Sequence, residues 1–342
     1  MHYFCMDFIN NFFLITHKKP SKVGVLTSGG DAPGMNAAIR AVIRTGIYHG
    51  MEMAGIIRGF TGILENDIIP MDNRSVANII QRGGTILKSA RCQPFFTKEG
   101  RKQAFGNLQA NGIEALIVIG GDGSFRGALE FSNEYNIPCI GIPGTIDKDL
   151  AGTDYTIGFD TAVNTAVSCI DKIRDTMEAH DRLFIVEVMG RHAGYIALHS
   201  GIATVAEYIL IPETHTSMEE IAHSLSEKEK RKKLVNLVVI AEGHRTGGAV
   251  GFVEELKKYL PALDARISIL GHIQRGGQPT CIDRMSASRM GYHAIECLLT
   301  GKYNVMVGIQ KNTMSYTPFA EALSGKHKMD EAWMKIVKIL AS

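Results

Sequence analysis

The sequence predicts an α/β fold built on parallel sheets with helices on both faces, and three observations predict it. Short apolar runs alternate with segments of helical spacing along the chain. The apolar runs are mostly continuous rather than alternating, as strands buried on both faces require. Five of them end in loops rich in Gly, Asp, Thr or Arg, and ligands of such sheets bind beyond the carboxyl ends of strands.

The first strand is predicted at Val23–Leu26 and breaks at Thr27-Ser28-Gly29-Gly30-Asp31. Pro33 and Gly34 punctuate the chain. Met35, Ala38, Ile39, Val42, Ile43 and Ile47 then share one face of a helix predicted over Met35–Tyr48. The same reading predicts strands at Glu52–Ile57, Ala115–Ile119 and Cys139–Ile142, with helices at Val76–Ile80, Arg101–Gln109 and Gly127–Tyr135. A second series follows: helix Thr161–Glu178, strand Leu183–Glu187, helix Ala193–Ile202, strand Glu207–Ile211, helix Met218–Arg231 and strand Leu237–Ala241. Helix Val250–Tyr259, strand Arg266–Leu270, helix Asp283–Leu299, strand Val305–Ile309 and an amphipathic helix Asp330–Leu340 complete it.

With 342 residues, the chain is long enough to bury roughly 75% of its unfolded surface, in one domain or two. A net charge of +2 gives no case for wholesale nucleic-acid binding, so electrostatics must act locally. Six cysteines lack any C-x-x-C spacing and read as reduced thiols of a cytoplasmic protein. Residues 1–21 carry Phe4, Phe8, Phe12 and Phe13 with Asp7 among them. They have neither the leading basic residues nor the small-residue cleavage site of a secretory signal. They read as a loosely docked extension, with the fold starting at Val23, and no run is long enough for a membrane span.

The loop chemistry is more specific. Leu116–Gly120 runs into Gly121-Asp122-Gly123-Ser124, where small residues ahead of a helix let backbone N–H groups approach an anion. Asp122 cannot hold a phosphate itself, but it fits one bridged by a divalent cation, Mg²⁺. Gly123 leaves the room that a nucleotide's α-phosphate and sugar need. Tandem glycines at Gly29-Gly30 ahead of a helix suit phosphate in the same way, with a tight turn as the plain alternative. In Pro143-Gly144-Thr145-Ile146-Asp147-Lys148-Asp149, one carboxylate can take a proton while the other helps hold metal. An Asx-turn is the plain alternative there. Arg191, after Met189-Gly190, and Arg91, after Gly83-Gly84, place guanidiniums at strand or loop ends. Arg266, His272 and Arg275 gather as they would around a phosphate monoester.

Taken together, Thr27–Arg40, Arg82–Thr85, Gly120–Ser124, Pro143–Asp147, Glu187–Arg191 and Gly271–Gly277 resemble the bacterial-type ATP-dependent 6-phosphofructokinases in type, order and spacing. The resemblance runs from about Val23 to the C-terminus. It implies two doubly wound, Rossmann-like domains with the active site in the cleft between them. One would comprise residues 22–158 plus about 274–324, the other about 159–273 plus 325–342. It implies a cytoplasmic kinase of glycolysis that phosphorylates fructose 6-phosphate with MgATP. Gly30, Arg91, Cys92, Gly121, Asp122, Gly123 and Ser124 would line the ATP site, with Asp122 and Asp149 at the metal. Asp147 would be the base, helped by Thr145, Arg91 and Arg191. Thr145, Met189, Gly190, Arg191 and Glu242 would hold the sugar, and Arg182, Arg266, His272 and Arg275 its 6-phosphate. Arg182 and Arg266 would come from a neighbouring subunit of a homotetramer. Arg40, Arg44, Arg174, Glu207, Arg231 and Lys233 match an effector pocket for a nucleoside diphosphate such as ADP, or for phosphoenolpyruvate.

Departures from the pattern are Lys148, where Asn is usual, Cys92 in place of an aromatic, and Phe96 in place of a basic residue. Pyrophosphate-dependent members of the superfamily typically carry an acidic residue at the position of Gly123 and Lys at that of Gly144. Both are glycine here, which favours ATP. A nicotinamide-dinucleotide or lipid kinase can share the Gly-Gly-Asp-Gly turn but not the loops at 143–149 and 271–277. A nucleotide-sensing binding protein would be expected to lack Asp147 or Arg191. A dehydrogenase is disfavoured because no G-x-G-x-x-G follows the first strand.

Overall fold

Burial decides which apolar runs become strands. In β1, Lys22–Thr27, Val23, Val25 and Leu26 are wholly buried, so both faces of the strand must be covered. The computed structural model describes residues 19–177, 182–215, 217–230, 236–324 and 331–340. The predicted extension lies outside these for residues 1–18. The fold engages slightly before Val23, because Ser21 N donates to Glu114 (2.6 Å) and Ser21 O accepts from Glu52 N (2.8 Å).

β2 is Glu52–Ile56, β3 Ile68–Met71, β4 Ala115–Gly120, β5 Cys139–Pro143, β6 Leu183–Val188, β7 Tyr208–Leu210, β8 Asn236–Ala241, β9 Ala265–Ile269, β10 Val305–Gln310 and β11 Thr313–Pro318. Seven form one sheet in the order β11-β10-β5-β4-β1-β2-β3 and four form another in the order β7-β8-β6-β9. The smaller sheet is wholly parallel. The larger is parallel through its middle but antiparallel at both edges, where β3 pairs β2 and β11 pairs β10.

In both sheets the strand order reverses beside a central strand. β1 has β2 on one side and β4 on the other; β6 is flanked by β8 and β9. At such a reversal the following loops diverge and leave a crevice at the carboxyl ends. The loops after β1 and β4 therefore open together, as do those after β6 and β9. They are the glycine-, aspartate- and arginine-rich loops picked out above.

Some expectations need correction. Val76–Ile80 is a run of turns, not a helix. Asp72 Oδ1 accepts from Arg74 N (2.9 Å) and Ser75 N (2.8 Å), and Asn78 has φ +53°; side-chain capping competes there with helix formation. The edge strands β3 and β11 and the short helices Phe60–Leu64 and Phe319–Ser324 were not anticipated, because short, half-buried elements carry little periodic signal. Among the described residues no helix is long and apolar enough to cross a membrane.

The crossing between sheets is stapled. Helix Phe159–Met177 starts where the chain leaves the first sheet, and helix Cys281–Leu299 packs on helix Met35–Tyr48. Asp283 of the latter is buried and accepts from Gly158 N (2.8 Å) and Thr161 N (2.9 Å). Thr280 Oγ1 donates to Asp160 (2.6 Å). Asp283 thus satisfies N–H groups at the opening turn of a helix that it does not belong to. We expect Asp283→Ala to cost about 3 kcal/mol, the loss of charged hydrogen bonds to buried donors. Chemical denaturation reads this; a loss within about 0.5 kcal/mol, the range of an ordinary surface change, would show that the staple is dispensable.

Candidate active site

The loop after β1 is drawn to β4 by Ser28 N, which donates to Ile119 O (3.0 Å), and to the Arg91 segment by Ser89 Oγ, which donates to Gly29 O (2.6 Å). After β4, Gly121 precedes helix Asp122–Tyr135, so the Asp122 carboxylate sits at the positive end of the helix dipole. Gly144 N donates to Gly120 O (3.0 Å) and brings the loop after β5 alongside. A Cβ on Gly121 would lie 3.5 Å from Thr145, whereas one on Gly123 would meet nothing within 4 Å. The room inferred beside Gly123 is there.

Asp147 is buried, and its backbone N–H donates to Thr145 Oγ1 (3.2 Å). Its Oδ1, like that of Asp149, is buried without a hydrogen-bond partner. Burial pushes the Asp147 carboxyl up to about 6, reinforced by the Asp149 and Glu242 carboxylates and opposed by Arg275 and Arg191. Asp149 is also raised, chiefly by burial and then by Asp122, with Arg191 and His192 opposing. These cross-influences show that four carboxylates and several cations share one electrostatic environment.

The second sheet supplies most of the cations. Gly190 has φ +140° and Arg191 φ +55°. This left-handed turn is held by Glu242 Oε1, which accepts from Gly190 N (3.2 Å) and Arg191 N (2.7 Å). The turn directs Arg191 across to the first sheet's loops, where its Nη1 donates to Asp122 Oδ1 (3.1 Å). Arg275, in the loop after β9, reaches the loop after β1: its Nη1 donates to Asp31 O (3.1 Å), and a Cβ on Gly30 would lie 1.9 Å from Arg275 Nη1. Any side chain at position 30 would therefore displace the Arg275 guanidinium from this contact, a consequence separate from phosphate binding. Gln274, which the sequence reading passed over, is wholly buried. It accepts from Met189 N (3.3 Å) and donates to Gly271 O (3.0 Å), joining the loops after β6 and β9. Its place inside Gly271–Gly277 was the available signal.

Not every candidate converges. Arg91 is exposed, and Cys92 packs at the edge of an apolar cluster with Phe60 and Phe95. His272 is exposed at the mouth of the last loop. Arg182 (2.8 Å) and Arg266 (3.5 Å) both pair with Asp264 at the amino ends of β6 and β9. A six-residue strand puts that end ~20 Å from the Arg191 turn, so within one chain these two cannot join it. Arg174 donates to Thr204 O and Glu207 accepts from Leu237 N, so both lie at one corner of the second sheet. Arg40 and Arg44 lie on helix Met35–Tyr48 of the other lobe. Arg231 and Lys233 lie outside the described residues.

Two doubly wound lobes, joined across their strand ends by a guanidinium–carboxylate contact over paired buried carboxylates, define a two-lobed α/β kinase. The chain belongs to the phosphofructokinase family, whose model, described as "Phosphofructokinase", matches residues 22–298. It is 52% identical over 320 residues to "ATP-dependent 6-phosphofructokinase 1" of Thermus thermophilus, covering 94% of this chain and 99% of that one. It is 49% identical to "ATP-dependent 6-phosphofructokinase 2" of Bacteroides thetaiotaomicron over 93% of this chain and 98% of that one. Among solved structures it resembles phosphofructokinase from Saccharomyces cerevisiae (TM-score 0.83, 34% identity, 94% of this chain). It spans 46% of the length of that yeast chain. A pyrophosphate-dependent phosphofructokinase from Marinobacter aquaeolei is also similar (TM-score 0.80, 25% identity, 91% of this chain and 86% of that one).

The raised Asp147 carboxyl carries a stability prediction. Its folded-state value lies above the ordinary one, so its proton favours the folded form: that stability is present at low pH and lost as pH rises through about 6. Asp147→Asn should therefore raise the unfolding temperature at neutral pH, by an amount worth at most about 3 kcal/mol. The advantage should shrink towards pH 4. An Asn variant that is less stable than the parent across this range would contradict the buried, strained carboxylate.

Proposed function

We propose that the chain transfers the γ-phosphoryl of MgATP to the 1-hydroxyl of fructose 6-phosphate, giving fructose 1,6-bisphosphate and ADP. The observation that carries this reading is the crossing of Arg191 to Asp122 directly beside Asp147 and Asp149. It brings metal-binding carboxylates, a phosphate-binding cation and a raised-pKa base into one cleft. Phosphoryl transfer asks a protein mainly for alignment and charge stabilisation, and this set supplies both.

Asp147 accepts the proton of the sugar hydroxyl; its buried Oδ1 has no hydrogen-bond partner among the described residues and can take one from substrate. Thr145 Oγ1 and Arg191 hold the transferring phosphoryl, and Arg91 adds charge from the nucleotide side. Gly30, Cys92, Gly121, Gly123 and Ser124 line the ATP site. Asp122 and Asp149 fit Mg²⁺, which usually takes one or two carboxylates plus substrate phosphates. When bound, the ion neutralises phosphate charge. Met189, Gly190 and Glu242 hold the sugar, with Glu242 also fixing the Arg191 turn.

His272 and Arg275 bind the 6-phosphate from the same chain, and Arg182 and Arg266 reach it from a second copy in a homotetramer. Support for that assembly comes from β9, an edge strand whose exposed residues include Ile267 and Ile269, with exposed Ile273 following. The lobes comprise 22–158 with about 274–324 and about 159–273 with 325–342. Arg40, Arg44, Arg174, Glu207, Arg231 and Lys233 form an effector site for ADP or phosphoenolpyruvate, and the enzyme works in the cytoplasm.

A coupled assay with fructose 6-phosphate, ATP and Mg²⁺ tests the reading. Turnover should need all three, and kcat/KM should fall below about pH 6 as Asp147 protonates. Asp147→Asn should lower kcat by about 10²–10⁴, and turnover that survives within a few-fold would refute the base assignment. The second reading, pyrophosphate as donor, is tested at Gly123. Because a side chain there meets open space, Gly123→Asp should fold normally yet raise the KM for ATP about tenfold or more through charge repulsion. An unchanged ATP KM would show that the nucleotide lies elsewhere.

A further inference from the structure

Lys148 stands between the two carboxylates in an unusual conformation. Its φ is +55°, in the left-handed region that residues with a Cβ other than Asn and Asp rarely occupy. The neighbouring carboxylates give the turn little hold, since Asp147 Oδ1 and Asp149 Oδ1 are both buried without a hydrogen-bond partner among the described residues, and the Asp147 backbone N–H reaches only Thr145 Oγ1 (3.2 Å). The Lys148 side chain is what is held. Its Nζ lies 4.9 Å from the centre of the Phe159 ring and 5.6 Å from that of Tyr195, both inside the ~6 Å range of cation–π attraction. Among the described residues no carboxylate stands within ion-pair distance of the ammonium.

The two rings come from separate places. Phe159 opens the helix that leads out of the first sheet, and its ring meets His199 edge-on at 5.1 Å. Tyr195 opens the helix after the Arg191 turn. The cage therefore ties the Asp147–Asp149 loop to the segment that bears Arg191.

We propose that Lys148 is a positioning residue: its ammonium, caged by Phe159 and Tyr195, locks the left-handed turn that aims Asp147 and Asp149 into the cleft. The competing role for an active-site lysine is direct contact with substrate phosphate. A side chain committed to two rings is not free for that. The inference rests on the phosphofructokinase reading above and adds a residue to it.

The test compares the parent with Lys148→Met, Lys148→Arg, Phe159→Leu and the Met/Leu double variant. Met keeps the stem and removes the charge, whereas Arg keeps a cation suited to aromatic faces. Lys148→Met should lower kcat about tenfold, because small misplacements of reacting groups are costly, with the KM for ATP and for fructose 6-phosphate within about twofold. Lys148→Arg should recover most of the loss. Phe159→Leu should reproduce part of it, and the double variant should be no worse than the poorer single.

Unchanged kcat in Lys148→Met overturns the proposal. So does a rise in either KM without a fall in kcat, which marks a phosphate contact. Thermal unfolding of the parent, Lys148→Met, Phe159→Leu and the double variant reads the cage without turnover: the two losses should be non-additive, and additive losses refute the clasp. A parent that unfolds with this coupling but does not phosphorylate fructose 6-phosphate refutes the enzymatic reading and leaves the cage standing.

Discussion

Buried negative charge is the constraint on which this structure depends. Asp147 and Asp149 sit two residues apart in a loop where each keeps Oδ1 buried and without a hydrogen-bond partner among the described residues. Such groups cost free energy in a folded protein. The protein offsets part of that cost with cations from the loops that follow β6 and β9. Arg191 and Arg275 both lower the free energy of ionised Asp147, but not enough to restore its ordinary pKa. The remaining deficit leaves a carboxyl raised to about 6, as the proposed role of a base requires.

Topology makes the arrangement possible. Each sheet reverses its strand order beside one central strand, and each reversal opens the crevice that the functional loops fill. The two crevices face one another because the inter-sheet crossing is fixed by Asp283 and Thr280. Close backbone approach does the rest. A Cβ on Gly83 would lie 2.2 Å from Gly277 O, so this glycine serves the close approach of two loops.

Much of this was legible in the sequence. Continuous apolar runs ending in glycine and aspartate announced buried strands and the sites beyond them, and five such loops in order carried the family resemblance. Side-chain destinations were less visible. Gln274 looked like one polar residue among several, yet it is buried and joins two loops. The pairing of Arg182 and Arg266 with Asp264 follows from strand register, which periodicity does not encode. Lys148 could be noticed as unusual, but its aromatic cage is assembled from residues 11 and 47 positions away (159 − 148 and 195 − 148). The edge strands escaped because half-exposed antiparallel pairs do not show the continuous hydrophobicity of central strands.

The same geometry accounts for the second copy in the proposed assembly. The carboxyl-end loops gather the reacting groups, while Arg182 and Arg266 face away at the other end of the same strands. The most direct measurement is a crystal structure with Mg²⁺, ADP and fructose 1,6-bisphosphate bound. Our account places the sugar's 1-phosphate between Arg191 and Asp147, the metal against Asp122, and the 6-phosphate near His272 and Arg275. Nucleotide and sugar found in separate cavities, with Asp147 contacting neither, would contradict it.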